Sequence, residues 1–123
     1  MTTTDEQERQ FSKYNLEEQY DLYIFGNQVV HPPASYLACQ FAKQGPVIVP
    51  FLKNKLKAAH EEATIRDIVL VFLWLSRLKL YDIPKDQELM GLLNQRVSNM
   101  HGIWKETTLE MLTKIRTSST ESK

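Results

Sequence analysis

Thr64 to Leu80, TIRDIVLVFLWLSRLKL, constrains this chain more than any other stretch. Ile68 through Leu75 is an unbroken apolar run in the middle of a predicted helix. A helix that is apolar on every side cannot lie on a surface with one face in water. It needs neighbours around most of its circumference, so this segment is expected at the centre of layered antiparallel helices, with Trp74 in the core. Thr64 is the expected N-cap, with Asp67 as the acid of its capping box.

The flanking segments read as shorter helices. Asn15 followed by Glu18 has the form of a capping box, and Leu16, Tyr20, Tyr23 and Ile24 fall at helical spacing, predicting a helix from about 15 to 29. His31-Pro32-Pro33 ends it, because each proline pushes the preceding residue out of the α region. A second helix is expected over 34–43, closed by Gly45 and Pro46. A third covers 47–59 with Pro50 in its first turn, where a missing N–H costs little. After a turn containing Pro84 come a fifth helix over 86–99 and a sixth over 103–116. The expected fold is therefore all-α, about six short antiparallel helices in one domain spanning 11–116. Residues 1–10 are expected to be a disordered polar lead and 117–123 a disordered tail.

Acids and bases number 15 each, so the formal net charge is zero. That argues against broad electrostatic binding to nucleic acid, which needs a basic face. The opening MTTTDEQERQ has no apolar signal core, and the apolar run is too short to span a bilayer; a cytoplasmic protein without membrane attachment is expected. The single cysteine, Cys39, cannot form an intramolecular disulfide and reads as a buried small hydrophobe.

Chemistry-bearing patterns are sparse. His31, His60 and His101 have no second His or Cys within four residues, so no metal site is expected. The four glycines are too dispersed to cradle a phosphate, no nucleophile elbow is present, and no catalytic residue or cofactor is assigned. Glu17, Glu18 and Asp21 are explained by the helix dipole. Lys53, Lys55 and Lys57 read as a solvated face.

The segment 45–80 resembles a degenerate HEAT-type helical repeat. A first helix opens with Pro50 in PVIVPFLKNKL, a polar turn follows, and a second helix opens with Ile65-Arg66-Asp67-Ile68. The resemblance covers about a third of the chain, and the flanking hairpins do not repeat its residues. It implies a protein-binding surface and no enzymatic activity.

The functional expectation is a non-enzymatic interaction module, an adaptor, inhibitor or immunity-type protein, that binds another protein through one helical face. Tyr20, Tyr23, His31 and Tyr36 gather around the Pro-Pro corner, and rigid aromatics with polar tips suit an interface. Trp104, with Tyr81, is a second candidate. The alternative is a small ligand-binding protein or enzyme with a pocket between helices near Tyr20, Tyr23 and His31. A third reading is a homodimer through the terminal helices, with Trp104 and Met111 at the interface.

Overall fold

The computed structural model describes residues 15–28 and 36–121; for 27, 28, 36 and 118–121 only the backbone is described. Among the described residues there are six α-helices and no strand: α1 (Leu16–Gln28), α2 (Tyr36–Ala42), α3 (Val49–Ala58), α4 (Glu62–Arg77), α5 (Gln87–Ser98) and α6 (Lys105–Glu121). Two 3-10 turns, Gly45–Ile48 and Ile83–Lys85, lead into α3 and α5. The fold is all-α, as the apolar periodicity predicts.

Local chemistry sets several of these boundaries. The Asn15 side chain accepts from the Glu18 N–H at 2.9 Å, and Glu18 accepts from the Asn15 N–H at 3.2 Å, a reciprocal capping box. Gly45 has φ +84°, the left-handed geometry that ends a helix at low cost, and Pro50 stands in the first turn of α3. Asp86 caps α5 by accepting from the Leu89 N–H at 3.1 Å. The helix α6 extends to Glu121, past the end expected at Arg116.

At α4 the expected start is corrected. The helix begins at Glu62, with Glu61 at the N-cap and no side-chain cap bond, so Thr64 and Asp67 do not form its box. The Glu62 carboxylate instead accepts from the N–H groups of His101 and Gly102, both at 2.7 Å. A Cβ on Gly102 would come within 2.7 Å of the Glu62 Oε1, so the bare backbone is what lets the carboxylate approach.

Sequential helices pack in pairs, α1 with α2, α3 with α4 and α5 with α6. In addition α4 packs against α1, α2, α5 and most extensively α6, while α3 packs against α5. Through Glu62, α4 and α6 start at the same end and run side by side. Ile68, Val69, Val71, Phe72, Leu73 and Leu75 of α4 are buried, with Leu52, Leu56, Leu89, Leu93, Leu112 and Ile115 from α3, α5 and α6. Each such side chain contributes about 1.5–3 kcal/mol by leaving water.

Coverage of α4 is nonetheless incomplete. Leu70 and Trp74 are only half-buried, which corrects the expectation that Trp74 is core. With half-buried Arg66 and exposed Arg77 they form one stripe at i, i+4, i+8 and i+11, within about 80° of the helix circumference.

The end of α4 carries a backbone oddity. The Leu80 N–H donates to the Leu75 carbonyl and the Lys79 N–H to the Ser76 carbonyl, both at 3.0 Å, the paired bonds of a Schellman motif. The residue in the left-handed position is Lys79, φ 58°, where glycine is the usual occupant. Lys79→Gly is therefore expected to stabilise the fold by about 0.5–1 kcal/mol, and a urea titration reads it as a higher midpoint at unchanged slope.

Candidate functional site

Tyr23 sits at the heart of the molecule, fully buried, and its hydroxyl donates to the Asp67 carbonyl of α4 at 2.8 Å. It offers no surface to a partner, which corrects its assignment as a contact residue. Tyr20 is almost as buried, its ring edge-on to Phe51 with centroids 5.8 Å apart, and it too belongs to the packing of α1 on α3. Burial, then the nearby Asp67, Asp21 and Glu17 charges, push the Tyr20 phenol up to about 12. Burial, then Asp67, raise Tyr23 well above its ordinary 10.0. His31 lies outside the described residues, and so does the side chain of Tyr36. The Pro-Pro corner is thus represented here by two core phenols. The alternative pocket loses the Tyr23 hydroxyl as a ligand donor.

Trp104 has a different setting. It stands just ahead of α6, 37% exposed, beside Ile103, which is 83% exposed. The Arg66 guanidinium lies over the Trp104 ring, 4.2 Å from its centroid, close enough for a cation–π contact. The same guanidinium donates through Nε and Nη2 to the Asp67 Oδ1, at 2.8 and 2.6 Å. Asp67 is wholly buried, while the Arg66 side chain keeps 15% of its exposure. A continuous connection therefore runs from core to surface: Tyr23, the Asp67 backbone, its carboxylate, Arg66, and the face of Trp104. Further along α4 the Arg77 guanidinium lies 5.8 Å from the Trp74 centroid. Both tryptophans of the chain border the α4 stripe, and each carries an arginine.

Several of the remaining sequence candidates are occupied within the fold. Lys53 bridges to Asp86 at 3.0 Å and Glu88 at 2.9 Å, tying α3 to α5. Lys55 bridges to Glu17 at 2.5 Å and lies over Tyr20 and Phe51. Tyr81 donates to Asp86 at 2.6 Å. Met111 is buried in the core. Cys39 is half-buried, more open than expected. Among the described residues, no group of three His, Cys, Asp or Glu side chains could hold a metal ion.

The ion pairs and buried phenols give a pH profile. Desolvation pushes Asp86 up, but donation from Tyr81, the Leu89 N–H and Lys53 outweighs it and leaves the carboxyl below its ordinary 3.8. The His101 and Gly102 N–H groups hold Glu62, and Lys53 holds Glu88, below the ordinary 4.5. A depressed carboxyl stabilises the fold above its unfolded value and loses that contribution as pH falls through the folded one. Tyr20, Tyr23 and Tyr81 are raised above 10.0, so their contributions are complete below 10.0 and decline as pH rises through the folded values. The thermal midpoint is expected to fall on the acid side below 4.5 and on the alkaline side above 10.0. In melts across pH, Asp86→Asn should flatten part of the acid limb, and Tyr81→Phe part of the alkaline one.

Arg66, Leu70, Trp74 and Arg77 were not among the sequence candidates. Their spacing is visible in the sequence, but the apolar run around Leu70 and Trp74 hides which two of its members remain at the surface. Compared with family models, curated proteins and solved structures, the chain has no significant match.

Proposed function

We propose that this chain is a protein-binding module, a short HEAT-like array of three helical hairpins that engages a partner through the outer stripe of α4 and the adjoining Trp104. The observation that carries the reading is the stripe itself. Leu70 and Trp74 stay only partly buried on the helix that is otherwise the most deeply packed, bracketed by Arg66 and Arg77. Trp and Arg are the side chains most enriched at binding hot spots. The Asp67–Arg66–Trp104 connection supports it further, because a fixed aromatic loses little freedom when a partner lands on it.

In this reading the three hairpins share one central helix, since α4 packs against each of the other five, most extensively against α2 and α6. The cytoplasm is the compartment this proposal assumes. Among the described residues no helix is long and apolar enough to cross a membrane.

The test is affinity capture from a lysate of the source cells with the intact chain, comparing wild type, Leu70→Glu, Trp104→Ala and a control, Asn54→Glu at an exposed position of α3. All four are first shown to melt cooperatively. A stoichiometric protein held by wild type and Asn54→Glu but released by Leu70→Glu and Trp104→Ala supports the reading. Equal retention by all four moves the contact off this face.

A further inference from the structure

The C-terminal half of the α4 stripe has a charge character of its own. Between Asp67 and Asp82 the chain carries no acidic residue, while Arg77 and Lys79 are both basic and exposed. Among the described carboxylates, none lies within ion-pair distance of either one. This contrasts with Lys53, Lys55 and Arg66, whose charges are all spent on acids of the fold. Large apolar side chains accompany the two cations: Leu78 and Leu80 are each 36% exposed, and half-buried Trp74 lies one turn before Leu78.

Two details give this corner a direction. With its guanidinium against the Trp74 ring, Arg77 is backed by an aromatic on one side and keeps N–H donors for a carboxylate. Lys79 occupies a left-handed backbone position that glycine would hold with less strain. It stands exposed between Leu78 and Leu80, which are themselves partly open to solvent. The helix-end carbonyls of Leu75 and Ser76 are already bonded to the Leu80 and Lys79 N–H groups.

Resting on the binding-module reading above, we infer that the occupant of the α4 face is an acidic, amphipathic peptide segment of another protein. Its apolar side chains lie on Leu70, Trp74, Leu78 and Leu80, and its carboxylates meet Arg77 and Lys79. The match is one of charge complementarity: a doubly basic, apolar helix end selects a segment whose acids flank hydrophobic residues and rejects basic ones.

The experiment is a selection of a random 12-residue peptide library, displayed on phage, against the full chain. Enriched peptides are then titrated against wild type, Arg77→Glu, Lys79→Gly, Leu70→Glu and Lys57→Glu, using the intrinsic fluorescence of Trp74 and Trp104. The expected result is net-negative peptides rich in Leu, Phe or Trp. Their affinity should fall about 10-fold or more in Arg77→Glu and about 3-fold in Lys79→Gly, and be unchanged in Lys57→Glu. Weaker binding by Lys79→Gly, the variant expected to be the more stable, separates recognition from structural support. Neutral or basic winners, or acidic winners that bind Arg77→Glu as well as wild type, overturn the inference. If binding depends on Leu70 but not on Arg77, the face survives and its acidic partner does not. Failure to enrich any peptide, or enrichment indifferent to both substitutions, overturns the inference and the α4 face together.

Discussion

Replacing Arg66 with alanine is expected to destabilise the protein by about 3–5 kcal/mol, the usual cost of removing one member of a buried ion pair. Asp67 has no exposed surface, and Arg66 supplies two donors to one of its oxygens. Without the guanidinium, the carboxylate stays in the core short of those donors, and Trp104 loses the cation above its ring. In a domain of this size the melting midpoint should drop by on the order of 15 °C or more. The pair need not be a net source of stability, since apolar replacements of similar volume often match a buried ion pair. Arg66→Met combined with Asp67→Leu should therefore recover most of the loss. The coupling energy from the double-mutant cycle is the quantity to measure, and additive losses would show that the two side chains act independently.

Tyr23→Ala is the second large effect, about 3–5 kcal/mol for emptying an aromatic-sized volume in the core. The ring is fully buried and joins α1 to α4. Tyr23→Phe separates the two contributions, because it keeps the ring and removes only the 2.8 Å bond to the Asp67 carbonyl. That change should cost about 1 kcal/mol, the net worth of a typical buried hydrogen bond. Chemical denaturation of the three proteins tests this. A Tyr23→Ala protein within 1 kcal/mol of wild type would mean that the phenol is not a core residue.

How much of this architecture is legible in the sequence follows from the range of each interaction. The capping box of α1, the left-handed Gly45, Pro50 in the first turn of α3 and Asp86 ahead of α5 are set by residues a few positions apart, and local chemistry reads them well. The central place of α4 is legible because a run of apolar residues has no solution except enclosure. Interactions across the chain are not legible. Glu62 is committed to N–H groups 39 and 40 residues away, which is why Thr64 looks like the cap when the helix starts earlier. Tyr23 meets Asp67 across 44 residues, and an amphipathic phenol fits a core and an interface equally well from sequence.

The α4 stripe illustrates the same limit from the other side. Composition says only that Ile68–Leu75 is apolar; which members stay at the surface depends on where α2 and α6 settle. Lys79 has no sequence signature at all, since the left-handed end of a helix is normally announced by glycine or asparagine. The lysine row was legible as charge but not as structure, because Lys53 and Lys55 find their acids on α5 and α1.

The most direct test of the binding face is site-specific photo-crosslinking in the source cells. A benzophenone amino acid is placed at Leu70 in one chain and, as the comparison, at Asn54 on α3 in another. The account predicts a discrete protein adduct from position 70, absent from position 54 and abolished by Arg77→Glu in the same chain. An adduct from position 54 with none from position 70 would contradict it.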